Sequence, residues 1–197
     1  MDEAWLATLA ESPWLLPTLF LLVVGDAFLV VLPSETLVVT LGALWGATGH
    51  PPLLAVVPVA AVGAVVGDLL CFAIGRRLDL GRWERGASRL ARAIARARAT
   101  VLRRPASLVF TARYIPFARI AVNLAAGASG LPLRRFAPLS AAAGAAWACY
   151  NTAVGAIFGT VLAALPWLAV LVSIAVAITL GVLVDAVVAR LAHRHDA

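Results

Sequence analysis

Between Phe110 and Gly127 the chain sets two arginines, Arg113 and Arg119, six residues apart around Pro116 in largely apolar sequence. A guanidinium keeps its charge, and carrying one to the bilayer centre costs roughly 2.5–3.5 kcal/mol on insertion scales. Proline removes a backbone donor and opens the helical ladder near Ala112, so this segment is not expected to cross as a straight helix. Broken backbone at membrane depth is tolerated only where protein or a wet cavity satisfies it. The stretch is therefore predicted to line a site.

The membrane is the medium that the rest of the composition implies. Of 197 residues, 62% are hydrophobic and 13% charged, and long uncharged runs recur. This predicts an all-α integral membrane protein forming one domain, with room for a few spans of about 20 residues. Cys71 and Cys149 both lie in apolar runs, so neither a disulfide nor a metal site is expected. The start, Met1-Asp2-Glu3, has no positive n-region, and no cleaved signal peptide is expected.

Residues 1–12, with Asp2, Glu3 and Glu11 beside Trp5, Leu6 and Leu9, read as a short interfacial helix. Only eight apolar or neutral residues separate Pro17 from Asp26, too few to span. Phe28 to Leu32, then Pro33-Ser34-Glu35, then Leu37 to Ala47 make two short apolar arms around an acidic, proline-broken centre. Residues 13–49 are predicted to form a re-entrant hairpin, with one bent span over 18–47 as the alternative. After the turn at His50-Pro51-Pro52, residues 53–75 form a full-length apolar helix interrupted by Asp68, with Gly63, Gly67 and Gly75 as a small packing face. Residues 76–104 then hold ten arginines against Asp79 and Glu84. Arg85, Arg89, Arg92 and Arg96 recur at helical spacing opposite Trp83, Ala87, Leu90, Ile94, Ala97 and Val101. That predicts an amphipathic helix over 78–104 lying on anionic headgroups, not a nucleic-acid-binding stretch.

Read as a second re-entrant hairpin, residues 105–131 return both arginine-rich flanks to the cytoplasmic face, in keeping with the positive-inside rule. Spans over 136–163 and 166–189 leave the tail with Arg190 and Arg194 in the cytoplasm. The plan of residues 13–76, a charged, proline-broken hairpin and then a spanning helix, recurs over 105–163 from the opposite face. Inverted repeats of broken helices are a signature of secondary transporters.

Asp26 and Glu35 in the first hairpin and Arg113 and Arg119 in the second balance in sign. Unpaired, the four would cost roughly 10–14 kcal/mol, so they must meet each other, water or a ligand. One reading is a salt-bridge quartet that locks the hairpins together. The other has the arginines take a substrate phosphate with their bidentate forks while a carboxylate exchanges a proton. Asp68, two turns before Arg76, is expected to cap the bundle near the cytoplasmic interface. Pro33, Ser34, Pro116, Gly127 and Trp147 are expected to support the site.

Four pieces stand out: Asp26 with Pro33-Ser34-Glu35; Gly67-Asp68 with Gly75-Arg76; Phe110-x-x-Arg113-x-x-Pro116-x-x-Arg119 with Ala126-Gly127; and Phe136, Gly144 and Trp147. Together they resemble the DedA family of membrane proteins, also described by the VTT or SNARE-associated domain. That family usually carries Glu at the position of Asp26 and an aromatic where this chain has Cys71-Phe72. The resemblance implies a lipid-translocating carrier of two facing re-entrant hairpins, with Asp26 and Glu35 as its acidic pair and Arg113 and Arg119 as its basic pair. Bacterial members are linked to returning undecaprenyl phosphate across the cytoplasmic membrane, to proton-dependent transport and to envelope stress; eukaryotic relatives scramble phospholipids. The expected partners are the bilayer, an anionic lipid phosphate and protons, and the question of a homo-oligomer stays open. No cofactor and no enzymatic activity are expected. A lipid phosphatase or phosphotransferase needs a nucleophile with a base or grouped carboxylates, and His50, His193 and His195 are far from the arginines in sequence. An osmosensing or ion-conducting protein is the remaining alternative.

Overall fold

A computed structural model of the chain describes residues 12–29, 34–78, 98–113 and 118–161, with the single helical positions 172, 175 and 179. Among these residues the secondary structure is entirely helical: α1 (Leu15–Asp26), α2 (Ser34–Thr48), α3 (Leu53–Arg77), α4 (Pro105–Ala112), α5 (Ala118–Ala128) and α6 (Leu133–Val161). Of the described helices, α3 is long and apolar enough to cross a membrane by length and composition. Its 25 residues rise about 37 Å. The expected span over 53–75 falls on α3 and that over 136–163 on α6. The expected span over 166–189 lies largely outside the described residues. So does the amphipathic helix over 78–104, except that residues 98–103 are helical.

In the first broken segment the helix ends well before the proline. α1 stops at Asp26, seven residues before Pro33, and its last turn tightens as the amides of Phe28 and Leu29 both reach the Gly25 carbonyl at 2.9 Å. Residues 18–47 are thus not one continuous helix. In the second segment α4 ends at Ala112, as the loss of the Pro116 donor requires.

The two halves share one plan. Each has two arms and then a long helix: α1, α2 and α3, repeated by α4, α5 and α6. After each second arm comes a glycine in left-handed backbone, Gly49 with φ 82° and Gly130 with φ 78°, which a residue with a β-carbon adopts at a cost. Each long helix follows a proline, Pro52 or Pro132, and carries another as its sixth residue, Pro58 or Pro138.

The second arms cross over. α2 packs on α6 and α5 on α3, while α1 stays against α3 and α4 against α6. Both crossed contacts run through glycine. Gly42 and Gly46 face the backbone of Thr152, Ala156 and Thr160; Gly155 and Gly159 face the backbone of Val39 and Ala43. Gly75 meets the Leu124 carbonyl, and Gly127 meets the Phe72 carbonyl and the Arg76 amide. Small residues let the backbones close in, and packing is the main attraction open to helices in lipid, where apolar side chains gain nothing by leaving the tails.

Two apolar clusters form, and each draws on both halves. Leu19, Val23, Val38, Val56, Ala60, Ala64 and Trp147 form one, and Phe72, Val109, Ala126, Leu131, Phe136 and Ala143 the other. Phe72 and Phe136 stack with ring centroids 4.5 Å apart. On α3, Asp68 sits between Ala64 of the first cluster and Phe72 of the second.

Candidate functional site

A single carboxylate gathers four elements at this junction. Asp68 on α3 is buried, and its Oδ2 accepts from Arg113 Nη2 at 2.8 Å, Arg113 Nη1 at 3.3 Å and Ser140 Oγ at 2.7 Å. Its Oδ1 accepts from Asn123 Nδ2 at 2.8 Å. Arg113 comes from the C-cap of α4, Asn123 from α5 and Ser140 from α6. The ion pair is closed to solvent, both side chains being 2% exposed. Charge-assisted bonds of this kind are strong where the partners are pre-arranged.

Gly144 provides the room, one turn after Ser140. A β-carbon there would sit 3.4 Å from Arg113 Nη2 and 3.3 Å from Val65 Cγ2. Gly144→Val should therefore cost about 1–3 kcal/mol by overpacking and Gly144→Ala clearly less, as read from thermal unfolding in detergent micelles.

The second arginine is held differently. Arg119 Nη2 donates to Asp26 Oδ2 at 3.0 Å, and the two side chains are 14% and 18% exposed. Asp26 ends α1 and Arg119 is the second residue of α5. Each sits at the helix end that disfavours its sign, a carboxylate by a negative C-terminus and a guanidinium by a positive N-terminus, an effect of about 0.3–1 kcal/mol apiece. Each relieves the other. Glu35, exposed at the second position of α2, has Asp26 and Arg119 as charged neighbours but makes no hydrogen bond or ion pair with a described residue. Cys71 Sγ donates to the Ala27 carbonyl at 3.1 Å and ties the end of α1 to α3 one turn from Asp68.

Two expectations need correcting. Arg113 does not pair with Asp26 or Glu35; its partner is Asp68. And Asp68 is no interfacial cap: as a buried acceptor of four hydrogen bonds it is the polar centre of the bundle. The cause is angular: separation from Arg76 fixes only the height of Asp68 along α3, whereas its angle around the helix faces it toward α4, α5 and α6. Among the supporting residues, Ser34 is buried at the start of α2, Trp147 belongs to the first apolar cluster and Gly127 to the α3–α5 contact. Pro33 and Pro116 lie outside the described residues. Asn123 and Ser140 were not anticipated. The available signal was weak: each is a polar side chain in an apolar helix, where such groups face the bundle interior.

A VTT domain matches residues 32–157. The chain belongs to the VTT-domain (DedA) family. It is 31% identical over 186 residues to the uncharacterized membrane protein Rv2637 of Mycobacterium tuberculosis, covering 85% of this chain and 84% of that one. The inner membrane protein YohD of Escherichia coli is 34% identical over 132 residues, 66% of this chain and 67% of YohD. An alkaline phosphatase-like protein of Lactococcus lactis is 27% identical over 150 residues, 68% of this chain and 70% of its own length. No solved structure matches. This VTT-domain chain is thus a membrane protein, and its matched region holds Glu35, the Asp68 cluster and both arginines, while Asp26 precedes it.

Proposed function

We propose that the protein carries an anionic phospholipid across the cytoplasmic membrane, most specifically undecaprenyl phosphate on its return, with Arg119 taking the phosphate and with Asp26 and Glu35 exchanging protons. In this reading residues 13–49 and 105–131 are re-entrant hairpins entering from opposite faces, and the arginine-rich segment over 76–104 and the C-terminus are cytoplasmic. One observation carries it: the two arginines are unequal. Arg113 has both terminal nitrogens on a sealed carboxylate, whereas Arg119 makes one bond to a part-exposed Asp26 beside the exposed Glu35. A monodentate guanidinium at a helix N-terminus suits a phosphate, which gains from the fork and from the positive end of α5. Arg113 is on this view the anchor of the site and not its ligand-binding group.

Lipid flux in proteoliposomes, with and without a pH gradient, tests the reading. Arg119→Gln should cut flux of a polyprenyl phosphate about tenfold, and Arg119→Lys, which keeps charge without the fork, should retain part of it. Full flux in the double variant Glu35→Gln with Arg119→Gln would sink the phosphate-clamp mechanism. The same vesicles, assayed for released inorganic phosphate, examine the activity named for the Lactococcus relative. Ion conductance without lipid movement would favour the osmosensing alternative.

A further inference from the structure

We propose that Glu35 and Arg113 form the ion pair of a second conformation, in which Arg113 has left Asp68 and the Asp26–Arg119 pair is open. The proposal rests on the carrier reading and says how one site serves two faces.

The shared plan of the halves fixes the correspondence. Asp26 ends α1 as Arg113 follows the last residue of α4, and Glu35 is the second residue of α2 as Arg119 is of α5. The observed link therefore joins the first-arm end of one repeat to the second-arm start of the other. Its counterpart in the repeated plan is Arg113 with Glu35, and the signs again oppose. That counterpart is not made here. Arg113 is on Asp68, and the charged neighbours of Glu35 are Asp26 and Arg119.

Asp68 is what breaks the symmetry. It is the sixteenth residue of α3, and the sixteenth residue of α6 is Ala148, buried and apolar. One half thus offers an anchor to the opposing first arm and the other does not. Two inverted repeats in unlike arrangements interconvert by exchanging them.

The exchange is one-sided in the empty protein. It replaces two ion pairs by one, takes Arg113 away from the buried Asp68, and leaves Asp26 and Arg119 at the helix ends that disfavour their charge. A phosphate on Arg119 and a proton or water on Asp26 offset that loss. Asp68 keeps Ser140 and Asn123 as donors. A ligand can shift such an equilibrium only through unequal affinity for its two states, and here the inequality is the opened Arg119.

Spin labels at Ile74 on α3 and Phe110 on α4, both exposed, report the separation of these helices in nanodiscs, in a Cys71→Ser, Cys149→Ser background. Dioctanoyl phosphatidic acid is the probe, and its binding is measured in parallel. In the otherwise native chain it should populate a second distance. Glu35→Gln, at an exposed position that should not disturb folding, should lower that population about tenfold, compared at probe concentrations that saturate binding in each variant. Asp68→Asn should raise it without ligand, and Ser140→Ala should do so in smaller measure if Asp68→Asn does not fold. Binding with no second distance in the native chain, or an unchanged response in Glu35→Gln, overturns the exchange and leaves the lipid reading standing. Absence of both binding and lipid flux removes the lipid reading itself, and this inference with it.

Discussion

Asp68→Ala is expected to destabilise the protein by about 3–5 kcal/mol, the cost of stranding one member of a buried ion pair. The substitution deletes the acceptor of four hydrogen bonds and leaves the Arg113 guanidinium, 2% exposed, without its carboxylate. Asp26→Ala breaks the other arginine pair and should cost roughly 1 kcal/mol, because that pair is part-exposed and water can replace the carboxylate. Unfolding in mixed micelles gives both values. Removing the charge and its partner together, Asp68→Ala with Arg113→Met, should recover most of the loss, since no ion is then stranded. Equal losses at Asp68 and Asp26 would show that the sealed network is not the polar centre of the bundle.

Gly127→Ala is expected to cost about 3 kcal/mol, the upper end of overpacking penalties. Its new β-carbon would meet the Phe72 carbonyl and, at 2.8 Å, the Arg76 amide, both backbone atoms that cannot swing aside. α5 would have to move off α3, carrying Asn123 away from Asp68 and Arg119 away from Asp26. Gly130→Ala is the control. It lies three residues on with open space around it, and only its φ of 78° is strained by a side chain, at about 1–2 kcal/mol. Comparable losses at the two positions would point to backbone strain, and a much larger loss at Gly127 to the helix contact.

Much of the architecture was legible in the chain because a bilayer penalises so few things so heavily. The composition, the arms too short to span and the prolines beside charges implied helices broken around charged centres. The recurring order of arm, arm and long helix followed from the same marks. Glycine spacing on α3 implies a packing face, but nothing local in the sequence sets Gly42 and Gly46 against the helix of Gly155 and Gly159, since a small-residue stripe does not name the helix it faces. Nothing in the local sequence marked the end of α1 at Asp26, after which the amides of Phe28 and Leu29 double up on the Gly25 carbonyl.

The charges divide the same way. By itself the sequence determined that Asp26, Glu35, Arg113 and Arg119 must be neutralised, because an isolated ion in hydrocarbon costs several times the thermal energy. Only the tertiary structure decided which acid meets which arginine. Position along α3 set how deep Asp68 lies, but its angle around the helix, and the crossing of α5 and α6 over that face, brought Asn123, Ser140 and Arg113 onto it. Pairing depends on that angle and on approach between helices far apart in the chain, and neither is a property of any local run of residues.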